Sequence, residues 1–355
     1  MDQMKTREPA KPLEGNEKSK WTKVFVVFMV IFSLTCMAFM NYNYDSLSRY
    51  PYKDTNSRKL IKEYLNKEEI DYIIEYSIAP NVFISFIKED GFNIYHAAEY
   101  KKLSEYAWEQ TPANIVHIVE ETRDTMDTDT LIVYLTHYSY DAVDDWFEHG
   151  DDLSPGSTLV EYAGYMDAYL DDVHTVGIRK PMTLQKLNDA VPADSSQDIL
   201  VDVSLQQPLS DLCSGIQDAL GSTNACAGLN IKEGYISYDD QKVRYANAVE
   251  EYGEDSAVKY EPYPGHSEHQ LGLAVDFGVS GITDDSFAKT EQSQWLASNA
   301  WKYGFVNTWN DYDTDITNKI SQPYHYRFIG IELAATLHSE GITFAQYAEQ
   351  ESEAN

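Results

Sequence analysis

Apolar and polar positions divide the chain into stretches of different rhythm. From Val24 to Met40 no side chain is charged. That run is about the length a helix needs to span a bilayer. Lys18, Lys20 and Lys23 crowd its N-terminal flank, so residues 1–23 read as a cytoplasmic leader and 24–40 as a transmembrane anchor. Arg49, Lys53, Arg58 and Lys59 on the far side pull the other way. A cleaved signal peptide is the competing reading, with Cys36-Met37-Ala38 as its small-residue site. The anchored reading puts the protein in the cell membrane as a single-pass chain with its C-terminal domains outside.

Residues 41–56 are polar without periodicity and read as a linker. Residues 57–172 then place apolar side chains at helical spacing. Asn66-Lys67-Glu68-Glu69 opens a run with Ile70, Ile73 and Ile74 on one face. Thr111-Pro112-Ala113-Asn114 precedes Ile115, Val116, Ile118 and Val119, and Ser139-Tyr140 precedes Val143, Trp146 and Phe147. Each run has a polar residue suited to cap it. The stretch reads as a helical spacer or interaction domain, with a protein partner left open. His96, His117, His137 and His149 are scattered along it and read as surface or packing residues.

From 173 to 348 helices and strands alternate with short connections. Leu209, Leu212, Ile216 and Leu220 have helical spacing, and Gly221 closes that run. Leu229-Asn230-Ile231 reads as a strand continuing through Gly234 to Tyr238. Helices are expected through Gln241–Ala246, Gln294–Gly304 and Glu332–Leu337, and strands at Leu273–Phe277 and His325–Ile329. This pattern predicts an α+β domain with a small, mostly antiparallel sheet and flanking helices.

Composition narrows the partners. The chain has 58 acidic and 27 basic residues, a formal net charge of -31. A surface of that sign excludes nucleic acid and tight docking on anionic lipid. Of the three cysteines, Cys36 lies in the apolar run. Cys213 and Cys226 lack CxxC spacing, and read either as one disulfide in an exported domain or as two buried thiols.

The candidate chemistry lies in Ser267-Glu268-His269-Gln270-Leu271-Gly272-Leu273-Ala274-Val275-Asp276 and in Gln322-Pro323-Tyr324-His325-Tyr326-Arg327. On one straight strand the odd spacing of His269 and Asp276 would set them on opposite faces. They converge only if the chain bends at Gly272, with His325 coming from an adjacent strand. Two imidazoles and a carboxylate suit zinc with one position left for water. Spacing alone equally allows a core His–Asp hydrogen bond and an unrelated histidine.

The Ser-x-His-x-x-Gly-x-Ala-x-Asp pattern, followed by Pro-Tyr-His-Tyr-Arg, resembles the VanY-type D-alanyl-D-alanine carboxypeptidases, zinc enzymes that trim peptidoglycan stem peptides. Trp295-Leu296, Asn299-Ala300, Tyr303-Gly304-Phe305 and Glu332-Leu333-Ala334 carry the same resemblance. It implies that His269, Asp276 and His325 hold zinc, that Ser267 helps to position substrate, and that the partner is a peptidoglycan stem peptide. Two positions depart from the family. Its catalytic base is a Glu three residues before the last His; here Gln322 stands there, and a carboxamide accepts no proton at neutral pH. Its Gly-Tyr-Arg-Ser segment grips the peptide's terminal carboxylate. Here Ile236 replaces that Arg and makes no such contact. Arg244 and Arg327 are the candidate substitutes, while Glu268 and Glu332 are not expected to replace the base.

These observations support competing readings. One is a membrane-anchored zinc D,D-carboxypeptidase of attenuated or lost activity. The other is a catalytically inactive module that binds cell-wall peptide or protein. A third makes the helical half the working part. A substrate without a free carboxylate near position 236 fits the Ile236 substitution.

Overall fold

The computed structural model describes residues 15–42, 45–107, 109–153, 156–193 and 198–354. Positions 1–14 of the expected leader and 43–44 of the expected linker lie outside the described residues. The chain divides into two compact units at Lys101/Lys102.

The first unit holds α1 (Gly15–Tyr42), α2 (Thr55–Tyr64), α3 (Lys67–Glu75) and α4 (Pro80–Phe83), and the division falls within α5 (Ala97–Tyr106). In α1 the segment Ser19–Met40 has a mean hydropathy of 2.3, and none of it is buried. It is long and apolar enough to cross a membrane. Asn66 starts α3 by accepting from the Glu68 and Glu69 amides, while Glu69 accepts from the Asn66 amide. That reciprocal box satisfies donors the first helical turn leaves open. Leu47, Tyr50, Ile61, Ile73 and Phe83 form the centre of this core. Leu47 and Tyr50 fall in the stretch expected as a linker, so the chain is already packed there. The Tyr50 hydroxyl donates to the Ile78 carbonyl at 2.6 Å. Two apolar residues in a polar stretch set up no period, which is why the pattern missed them.

The second unit opens with α6 (Pro112–Thr122), α7 (Thr128–His137) and α8 (Tyr140–Leu153), the first capped by Thr111 and the second by Asp127. Helix stops there rather than near residue 172. A strap of turns and short strands takes over. In it β1 (Thr158–Leu159) pairs in parallel with β2 (His174–Thr175), and β3 (Leu184–Lys186) antiparallel with β4 (Leu200–Asp202).

Beyond it come α9 (Gln206–Leu220), β5 (Leu229–Glu233), α10 (Tyr238–Tyr252), α11 (Glu254–Ala257), β6 (Ala274–Val279) and α12 (Asp284–Phe287). After these the chain forms α13 (Glu291–Asn299), β7 (Phe305–Val306), α14 (Thr314–Thr317), β8 (His325–Phe328), α15 (Ile331–Glu340) and α16 (Phe344–Ala354). The expected α+β arrangement is present: an antiparallel sheet in the order β5-β6-β8-β7 among helices. α9 buries Leu209, Leu212 and Ile216 and ends at Gly221 in the left-handed conformation. Cys213 and Cys226 are disulfide-bonded, tying α9 to the turn before β5. β5 ends at Glu233 instead of running on to Tyr238, because Ser237 caps α10 by accepting from the Asp240 amide.

Candidate metal and peptide site

Gly272 makes the bend that brings the site together. Glu268–Leu271 form one 3-10 turn, closed by Gly272 at φ 73. A side chain at Gly272 would be strained and would press on Leu184 and the Asp202 amide. β6 starts two residues later, so Asp276 lies on the strand and His269 on the turn. Asp276 and His325 are register partners on β6 and β8 and therefore share a face. The His325 Nδ1 is 3.0 Å from Asp276 Oδ1, and the His269 Nε2 is 3.3 Å from the same oxygen. One donor atom from each of the three residues lies within 4.8 Å of the others.

The remaining nitrogens are fixed from behind. His269 Nδ1 donates to the Gly234 carbonyl at 2.7 Å, which leaves the Nε2 lone pair facing Asp276. His325 Nε2 donates to Glu268 Oε2 at 2.8 Å, and that carboxylate also accepts from the Thr308 hydroxyl at 2.6 Å. The Trp309 ring stacks on His325 at 4.0 Å. An imidazole that presents one nitrogen while a carbonyl or carboxylate holds the other is the arrangement of a metal ligand. The donor set therefore fits a small N/O-binding cation such as zinc. Burial works against charge on Asp276, but the two histidines hold its carboxyl well below the usual range. Burial likewise opposes charge on His325, yet its bonds to Asp276 and Glu268 raise it to about 9.

Residues 204–331 match the family model described as VanY, D-alanyl-D-alanine carboxypeptidase. This region is a VanY-type domain. A D-alanyl-D-alanine carboxypeptidase of Enterococcus faecalis is 39% identical over 88 residues, 25% of this chain and 32% of that protein. The YodJ protein of Bacillus subtilis is 38% identical over 120 residues, 33% of this chain and 44% of its own length. The chain thus spans less than half of either relative. The solved structure of LdcB, an LD-carboxypeptidase studied for peptidoglycan recognition, is 26% identical with a TM-score of 0.50, covering 55% of this chain and 90% of that one.

In the VanY-type domain two of the three clustered residues, His269 and Asp276, open onto a cavity of about 670 Å³, and His325 is buried beside them. Ser267, Ile236, Gln322, Trp309 and Tyr324 line it together with His269 and Asp276. Ser267 is 1% exposed, and its Oγ has no hydrogen-bond partner. Gln322 Nε2 donates to the Tyr260 carbonyl at 3.2 Å. Ile236 is an apolar wall residue, 6% exposed. Arg327 does not line the cavity. It is fully buried and donates through Nη2 to the Met166 and Ala168 carbonyls at 2.8 and 3.0 Å. A guanidinium held this way fixes the strap and does not reach a peptide. Glu268 is committed to His325, and Glu332 is exposed on α15.

Several residues of the site carried no signal in the sequence. Trp309 stacks on His325 and Thr308 supports it through Glu268, and no spacing encodes either; Glu268 belongs to the Ser-x-His motif, but its bond to His325 was not legible there. Glu261 also lines the cavity, with Gln241 Nε2 donating to its Oε2 at 3.1 Å. Burial raises the Glu261 carboxyl, against the pull of Gln241, Arg244 and His269. The strap contributes as well. Gln270 donates to the Gly177 and Arg179 carbonyls at 2.7 and 3.0 Å, and His266 Nδ1 donates to the Asp171 carbonyl at 2.7 Å. These bonds brace the turn that carries His269.

Proposed function

We propose that this protein is a membrane-anchored VanY-type zinc protein that binds peptidoglycan stem peptides and cleaves them slowly or not at all. His269, Asp276 and His325 would hold the ion. When bound, zinc supplies Lewis acidity toward a scissile carbonyl and toward water. The cavity beside the ligands, with the unpartnered Ser267 hydroxyl in its wall, suits an extended peptide. The apolar segment Ser19–Met40 would anchor the chain.

The observation that carries this reading is Gln322. Its carboxamide lies in the cavity wall, bonded to the Tyr260 carbonyl. An amide orients water by hydrogen bonds but takes no proton from it. A missing general base costs about 10²–10⁴ in rate.

Glu261 favours a second reading, in which turnover persists. It follows Tyr260 directly, so its Cα is within roughly 6 Å of Gln322 Nε2 by covalent geometry. Burial raises this carboxyl, which makes it a stronger proton acceptor than an unshifted one. Turnover of a pentapeptide ending in D-Ala-D-Ala by the zinc-loaded full chain decides between them. The first reading expects a trace rate that Glu261→Gln leaves unchanged. The second expects an ordinary rate, about 1–10³ per second, that Glu261→Gln lowers by about 10²–10⁴.

A further inference from the structure

The cavity's basic side chains are committed to its own wall. Among the described residues that line it, Lys232 and Arg244 are the basic ones, against the acidic Glu233, Glu251, Glu261, Asp276, Asp284 and Asp285. Arg244 closes a two-pronged bridge: Nη1 donates to Glu233 Oε2 and Nη2 to Glu233 Oε1, both at 2.6 Å. That fork is the one a guanidinium offers a carboxylate, and Glu233 already occupies it. The Lys232 ammonium donates to Asp284 Oδ1 at 2.5 Å.

The backbone builds this pairing. The β5–β6 register shifts between Ile231, opposite Phe277, and Glu233, opposite Asp276. Successive residues of a regular strand point to opposite faces. The irregularity at Lys232 lets both Lys232 and Glu233 line the cavity. Glu233 thus arrives beside the ligand Asp276 with Arg244 bound to it. Apart from Asp276, whose charge a bound ion would offset, a peptide carboxylate entering here would meet Glu233, Glu251, Glu261, Asp284 and Asp285 and two cations that already have partners. An uncharged end meets no such opposition.

We propose that the site takes peptides whose group at the His269–Asp276 end is uncharged, either a terminal carboxamide or a continuing peptide bond, in preference to a free C-terminal carboxylate. This rests on the peptide-binding reading above. The test is calorimetric binding of two probes to the zinc-loaded full chain in detergent: a stem pentapeptide ending in D-Ala-D-Ala acid, and the same peptide as its C-terminal carboxamide. The carboxamide is expected to bind at least tenfold more tightly. Glu233→Gln, which releases the Arg244 fork, should shift that ratio at least tenfold toward the acid. Equal or tighter binding of the acid by the unmodified protein overturns the proposal and leaves peptide binding intact. An unchanged ratio in a folded Glu233→Gln protein overturns it too. If that variant does not fold, the ratio in the unmodified protein decides alone. Failure of both probes to bind removes the peptide-binding reading and this inference with it.

Discussion

His269 and His325 have both ring nitrogens engaged. Ser267, in the same cavity, is buried with a hydroxyl oxygen that has no partner. The ligand end of the site is therefore pre-organised from behind by Gly234, Glu268 and Thr308. The rest of the cavity wall instead presents an unpartnered hydroxyl, an apolar Ile236 and an amide at Gln322. The contrast separates two abilities that a metallopeptidase normally combines. Holding an ion needs the fixed nitrogens and one anionic oxygen. Using it needs a group that accepts a proton, and the wall has an amide at that place.

That contrast can be broken most sharply at the ligands. Asp276→Asn should drop zinc content from near one ion per chain to near none by elemental analysis, while Gln322→Glu and Ser267→Ala keep it. Loss of zinc in the wall variants would merge the two regions. One step behind the ligands, Glu268→Gln should weaken zinc by about 10–100-fold in a chelator competition, because it loosens the hold on His325 Nε2.

The disulfide probes the wall. Cys213 and Cys226 are 13 residues apart, and closing a loop of that size contributes about 3 kcal/mol. The Cys213→Ser, Cys226→Ser double variant should lose about that much in denaturant unfolding. A larger loss of peptide affinity than of zinc affinity would place the effect on the β5 side.

The smallest effect is expected from pH. The Asp171 carboxyl is pushed up by burial but held below its usual value by bonds from His174 and the Val173 amide. His174 is raised chiefly by that bond to Asp171, 2.9 Å away. A lowered acid stabilises above its unfolded value and loses that as pH falls through the folded one. A raised histidine stabilises below its unfolded value and loses that as pH rises through the folded one. The pair should thus support the strap most between about pH 4 and 6.5, by under about 1 kcal/mol given its exposure. Asp171→Asn should flatten that part of the stability profile, as read by denaturant midpoints across pH.

Legibility in the sequence followed locality. The His269–Asp276 spacing could bring the two together only through a bend at Gly272, and the chain does bend there. The helical spacing of Leu209, Leu212 and Ile216 became the buried face of α9. The strap was not legible, because its order comes from bonds such as Arg327 to Met166, across 161 residues. No periodicity reports them. The irregularity at Lys232 was equally hidden, since it exists only relative to β6. Glu261 looked like one more acid in an acidic chain until folding set the Tyr260–Glu261 segment against Gln322.

The central claim is that the three ion-holding residues are in place while an amide, Gln322, stands where a proton acceptor is needed. The direct test is hydrolysis of a D-Ala-D-Ala pentapeptide by the zinc-loaded full chain, unmodified and as its Gln322→Glu variant. The account predicts a trace rate for the unmodified protein and a gain of about 10²–10⁴ on substitution. An ordinary rate in the unmodified protein that Gln322→Glu does not raise would contradict it.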